Sequence, residues 1–128
     1  MGKTVISTDQ AAGPFGGAPY SQAIVANGFV FTAGQIGAAA DGSGMVGDTV
    51  EAQTEQVIAN LKGILEAAGS SLDRVVKTTC FLSDLANFGA FNEVYRAHFG
   101  PDFPARSTFG VSLPAGVHVE VEAIATVG

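Results

Sequence analysis

The residues best equipped for chemistry on a small acid are Arg106 and Glu120. Arg106 follows Phe103-Pro104, an extended setting from which an arginine entering a strand can present its planar guanidinium fork to a carboxylate. Glu120 lies in an alternating segment, residues 117–126, and shares a face with His118 and Glu122. A carboxylate there can hold a water or take a proton. Each also has a plain structural reading: a surface ion pair for Arg106, and for Glu120 a counter-charge to Arg106 or a place in a polar subunit interface. Tyr20, after Pro19, reads by itself as an edge aromatic.

Other chemistries are less well supplied. His118 and Glu120 could both touch a metal, but His98 is the one further histidine and Cys80 the one cysteine, so the ligand set is thin. Cys80 stands among Val76, Thr78 and Leu82, the surroundings of a small buried hydrophobe. Residues 42–47 formally match G-x-G-x-x-G, yet they do not follow directly on a strand, and no acidic residue ends a second strand about 20 positions on; a loop or hairpin fits better. There is no G-x-S-x-G elbow to suggest a serine hydrolase.

These residues must be positioned by an alternation of strands and helices. Residues 3–7 read as a short first strand, and residues 10–18, rich in Gly, Ala and Pro, as a loop. Asn27-Gly28 is a type I′ turn pair between strand-like residues 21–25 and 29–33. Asp48 is placed to cap a helix with Glu51 in its first turn, Val57, Ile58, Leu61, Ile64, Leu65 and Ala68 on one face, and Gly69 as its stop. Residues 74–82 alternate with neither face fully polar, as in an interior strand. Phe88, Phe91, Tyr95 and Phe99 mark one side of a second helix ended by Gly100-Pro101. Two final strands, residues 105–111 and 117–126, pair as a hairpin or lie apart, separated by a turn at Leu113-Pro114-Ala115-Gly116. The order implies an α+β sandwich, a mixed sheet with both helices on one face, in a single domain over residues 1–128. If the helices cover the side of Val117, Val119, Val121 and Ala123, the acidic side is left for a cleft or interface, where a neighbouring Arg106 could compensate it.

Composition narrows the partners. Hydrophobic residues make up 47% of the 128 and charged ones 14%, more apolar side chain than so small a domain readily buries alone, which points to self-association. The net charge of −6, with Lys and Arg scattered singly, is the wrong sign for neutralising phosphates, so nucleic acid is disfavoured. There is neither an apolar run long enough for a membrane span nor the pattern of a signal peptide; a soluble cytoplasmic protein is expected, in keeping with a lone cysteine.

Five blocks then add up: Ala18-Pro19-Tyr20-Ser21-Gln22-Ala23, Thr32-Ala33-Gly34-Gln35-Ile36, Val76-Lys77-Thr78-Thr79, Phe103-Pro104-Ala105-Arg106-Ser107 and Val119-Glu120-Val121-Glu122-Ala123-Ile124-Ala125. In this order, over nearly the whole chain, they resemble the signature blocks of the RidA/YjgF family. The resemblance implies a chorismate-mutase-like α+β fold, a homotrimer with clefts between subunits, no cofactor or metal, and hydrolysis of reactive 2-imino and 2-enamino acids to 2-keto acids and ammonia. It makes Arg106 the binder of the substrate carboxylate and Tyr20 a wall and hydrogen-bonding group contributed across the interface. Gly34 becomes a backbone contact, Asn92 a supporting polar residue, and Glu120 the group that holds and helps activate water. Three departures bear on the substrate: Thr108, also expected at the cleft, stands where many members carry Cys, Ala33 where they carry Ser, and the loop of residues 13–18 looks longer and richer in glycine. Two rival functions are a regulatory module that holds a 2-keto acid without turnover, and the endoribonuclease or translation-inhibitor activity with which proteins like this one are often labelled; the acidic charge argues against the latter.

Overall fold

The structure, a computed structural model, describes residues 2–128. Asn27 and Gly28, with φ of 53° and 83°, make the left-handed turn that joins β2 (Ala23–Ala26) to β3 (Phe29–Thr32). β1 (Thr4–Ile6) pairs with the outer side of β2. A two-residue strand that the sequence pattern does not announce, β4 (Gln35–Ile36), pairs with the last strand.

Helix α1 (Val50–Ala67) buries Val57, Ile58, Leu61, Ile64 and Leu65, each at most 2% exposed. Truncating one of them, Leu61→Ala for example, would cost about 2–5 kcal/mol through lost transfer energy and the cavity left behind. Its cap is Thr49, not Asp48: the Thr49 hydroxyl accepts the Ala52 N–H at 3.1 Å. The Asp48 carbonyl instead accepts a hydrogen bond from His118 Nε2 at 2.7 Å.

β5 (Val75–Leu82) leads into α2 (Phe88–Phe99) and then β6 (Ala105–Gly110), which returns parallel to β5. A helix inserted between two strands carries the chain back to its starting end, so the second strand runs parallel to the first. β6 and β7 (Val119–Thr126) therefore lie apart: the sheet order is β1-β2-β3-β7-β5-β6, and β5 is interior as its two-sided pattern predicts.

The alternation in β7 sorts the two faces. Val119, Val121, Ala123 and Ala125 are at most 2% exposed beneath the helices, with Thr78, Cys80 and Leu82 of β5 beside them. Glu120, Glu122 and Ile124 point to the other face. There, Val5, Ile24, Phe31 and Ile124 stand opposite one another across four strands, and Phe81 stacks on Phe109 at 6.3 Å between centroids. Val5, Phe31 and Phe109 are 57%, 42% and 51% exposed. Among the described residues no helix is long and apolar enough to cross a membrane.

A candidate active site in two halves

The first half is built around Arg106. Its register opposite Thr78 puts it on the helix-covered face, where α2 presents aromatic residues three and four apart. The guanidinium carbon lies 4.8 Å from the centre of the Tyr95 ring and 5.6 Å from those of Phe88 and Phe91. Cation–π contacts of this kind orient the fork without using its N–H donors. Tyr95 is itself fixed, its hydroxyl 2.7 Å from Thr78 Oγ1, and burial raises its pKa. Asn92, Tyr95, Arg96, Phe103 and Pro104 join Arg106 around a cleft of about 190 Å³. Asn92 Oδ1 and Thr108 Oγ1 are buried with no hydrogen-bond partner among the described residues. Thr108 stands two positions beyond Arg106 on the same strand face.

The second half surrounds Glu120 on the other face of the sheet. Glu120 pairs with Ile36 of β4 and Phe81 of β5, and burial, then the charge of Glu122, raises its carboxyl above the ordinary range. Phe15, Tyr20, Ala33, Gly34 and Pro114 share with it a recess of about 330 Å³. Gly34 is there for room: a Cβ on it would overlap the Glu120 carboxylate and come within 2.9 Å of Glu120 Cδ. The Tyr20 hydroxyl accepts a hydrogen bond from the Phe15 N–H at 2.7 Å.

The structure thus groups Arg106, Asn92 and Thr108 in one place and Glu120, Tyr20 and Gly34 in another. Within one chain Arg106 does not balance the acidic face, because it lies on the opposite side of the sheet.

The comparisons with known proteins give the family. The chain matches the family described as Endoribonuclease L-PSP over residues 11–127. It is 46% identical to "Reactive Intermediate Deaminase A, chloroplastic" of Arabidopsis thaliana, over 97% of this chain and 66% of that protein. It is 39% identical to the human "2-iminobutanoate/2-iminopropanoate deaminase", over 98% of this chain and 91% of that one. The crystal structure of yeast Mmf1 superposes with a TM-score of 0.92 at 44% identity, covering 99% of this chain and all of the other. The chain belongs to the RidA/YjgF family.

In this RidA/YjgF chain the loops around Glu120 are held by polar side chains that the sequence analysis did not single out. Asn60, fully buried on α1, donates to the carbonyls of Ile36 and Ala38 at 3.2 and 2.9 Å and accepts the Ala12 N–H at 3.4 Å. Gln53, also fully buried, donates to Gly47 and Gly116 carbonyls and accepts the His118 N–H at 2.8 Å. Gln22 donates to the carbonyls of Thr8 and Ala12 and accepts the Thr8 N–H. A signal for two of them was present: residues 53, 57, 60 and 64 fall on one helical stripe, so Gln53 and Asn60 are polar residues in a line otherwise apolar.

The remaining candidates are otherwise engaged. His98 pairs with Glu55 at 2.6 Å, and His118 is bonded to Gln53 and Asp48. Among the described residues no group of three or more His, Cys, Asp or Glu converges as metal ligands would. Cys80 is wholly buried, and that burial pushes its thiol up to about 11, well away from the reactive thiolate range.

Proposed function

We propose that this RidA/YjgF protein hydrolyses reactive 2-imino and 2-enamino acids to 2-keto acids and ammonia, in clefts formed between the subunits of a homotrimer. The observation that carries the reading is the placement of Arg106 and Glu120 in two separate clefts on opposite faces of one sheet, the first suited to anchor a carboxylate and the second to take a proton. Neither half suffices, and a neighbouring copy supplying the other half completes both. The exposed apolar row of Val5, Phe31 and Ile124, flanked by Phe109, offers a surface for that assembly. The names of the Arabidopsis and human relatives support the chemistry.

Arg106, held against its aromatic sleeve, takes the substrate carboxylate in a two-point contact and leaves the side chain free. Asn92 Oδ1 and Thr108 Oγ1 are then satisfied by the substrate or its water. The protonated imine carbon is already electrophilic, so catalysis consists mainly of orientation and proton transfer. Glu120 takes a proton from water as the new C–O bond forms, and the C=N π electrons move to nitrogen. The resulting carbinolamine loses ammonia when a proton passes from oxygen to nitrogen, leaving the 2-keto acid. A raised carboxyl pKa suits a group that must both accept and return a proton. Tyr20 closes the wall beside it. Nothing in this sequence of steps calls on a cofactor. The ribonuclease activity in the family's description is less well served, since a chain of net charge −6 lacks the basic surface for phosphates.

The test is the disappearance of 2-iminopropanoate and 2-iminobutanoate, generated in the cuvette by an amino-acid oxidase and scavenged by semicarbazide in competition. Wild type should accelerate hydrolysis and Arg106→Ala should not. No acceleration by assembled wild type would leave a module that binds 2-keto acids without turnover.

A further inference from the structure

Phe15 is a wall of the recess beside Glu120, and the walls around it are largely apolar: Ala18, Ala33, Ile36 and Pro114 line the same recess. Phe15 is 57% exposed, and it is also a wall of a second recess, about 440 Å³, on its far side. That second recess runs between two glycine-rich loops and is bounded largely by small residues, among them Ala12, Gly13, Ala38, Ala39 and Gly44, with Met45 at its edge. The Phe15 ring is thus a wall common to both recesses.

The loop that carries the ring is tied at both ends and free between them. Asn60 and Gln22 hold Ala12 through its N–H and carbonyl. At the other end Tyr20 receives the Phe15 N–H. Gly16 and Gly17, with φ of 62° and 71°, curl the short turn that follows Phe15, and that turn buries no residue. With its backbone latched and its side chain packed under no other element of its own chain, Phe15 can change rotamer without moving the loop.

We propose that Phe15 is a specificity gate: it packs over short apolar side chains of the substrate and swings into the recess beside Ala39 to admit branched and aromatic ones. The substrates are accordingly apolar 2-imino acids over a range of sizes. The inference rests on the deaminase reading for its substrate class, but the gate itself is read equally by the binding of 2-oxo acids, the products.

The experiment compares wild type, Ala39→Leu, Phe15→Ala and the double variant on imines made from alanine, leucine and phenylalanine. Ala39→Leu fills the space into which the ring withdraws, so kcat/KM for the leucine- and phenylalanine-derived imines should fall about ten-fold while the alanine-derived imine stays within about two-fold. Adding Phe15→Ala should restore the bulky substrates, because no ring then needs the recess. A fall independent of substrate size, or the absence of rescue, would overturn the gate. Ala39→Val, a milder filling, should shift the same ratio in the same direction if Ala39→Leu folds poorly. Calorimetric binding of pyruvate and phenylpyruvate to the same four proteins separates the two claims. Selective loss and rescue of phenylpyruvate binding, without imine turnover by wild type, would sink the deaminase reading and keep the gate. Turnover with size-independent binding losses would do the reverse.

Discussion

The two halves of the site are built by different means. Arg106 is on a strand and is flanked by three aromatic rings of α2, so packing between regular elements sets its direction. Glu120 is also on a strand, but the walls around it are loops, held in place by hydrogen bonds from Asn60, Gln53 and Gln22. A group that anchors any substrate by its carboxylate benefits from one rigid direction. A group that meets varied side chains and moves protons benefits from walls that are tethered yet adjustable. The first half therefore should tolerate no change of its cation, whereas the second should respond in graded fashion to changes around its carboxylate.

Arg106→Ala is the largest expected effect: kcat/KM for imines should fall by about 10³ or more, since the two-point anchor and the orientation it confers are lost together. Assembly should persist, as checked by sizing chromatography. Glu120→Gln should lower kcat by roughly 10²–10³ with a smaller change in KM, because proton transfer is lost and the shape is kept. The pH profile sharpens this. In the proposed mechanism Glu120 acts deprotonated, and burial and the charge of Glu122 raise its carboxyl above the ordinary range, so kcat should decline as pH falls through a value above that range. That acidic limb should vanish in Glu120→Gln; an unchanged limb would assign it to another group.

Gly34→Ala should come next. The atoms a Cβ would meet belong to the flexible end of Glu120, so the carboxylate should shift while the fold remains. The expected loss is about ten-fold in kcat, with Tm near that of wild type. Asn60→Ala should act mainly on stability, by about 1–3 kcal/mol in urea unfolding, because the half-buried Ala38 carbonyl loses its donor and the Ile36 carbonyl keeps only the Ala38 N–H. Any accompanying loss of activity should appear with bulky substrates, which depend on the loops, and not in the affinity for the carboxylate.

Much of the frame was legible before the structure. Asn27-Gly28 could be little but a hairpin turn, and the stripe through Val57, Leu61 and Ile64 could be little but a buried helix face. β7 even declared its own orientation, valines one way and glutamates the other. What was not legible follows from non-local causes. Whether β6 sits beside β7 or across β5 depends on the path of α2, and Arg-Ser-Thr-Phe-Gly has no clean alternation to say which face Arg106 occupies. The cap is Thr49 and not Asp48, and the Asp48 carbonyl is engaged by His118 from 70 residues away. Tyr95 looked like one more aromatic of a helix stripe, and its part in steering Arg106 emerges from the parallel register of β5 and β6. Arg106 and Glu120 were named from their own chemistry, and Tyr20, Gly34, Asn92 and Thr108 were given their site roles by family resemblance. Their separation into two groups was not legible, since it requires knowing the face of every strand.

That separation is best tested by complementation. Arg106→Ala and Glu120→Ala chains, co-expressed with different tags and purified through both, each lack one half of the site. If the halves meet across the subunits of a trimer, every trimer that carries both tags has one cleft in three with both groups intact, and imine hydrolysis should return to about a third of wild type. Two inactive parents whose mixed assemblies stay inactive would contradict a cleft shared between neighbouring chains.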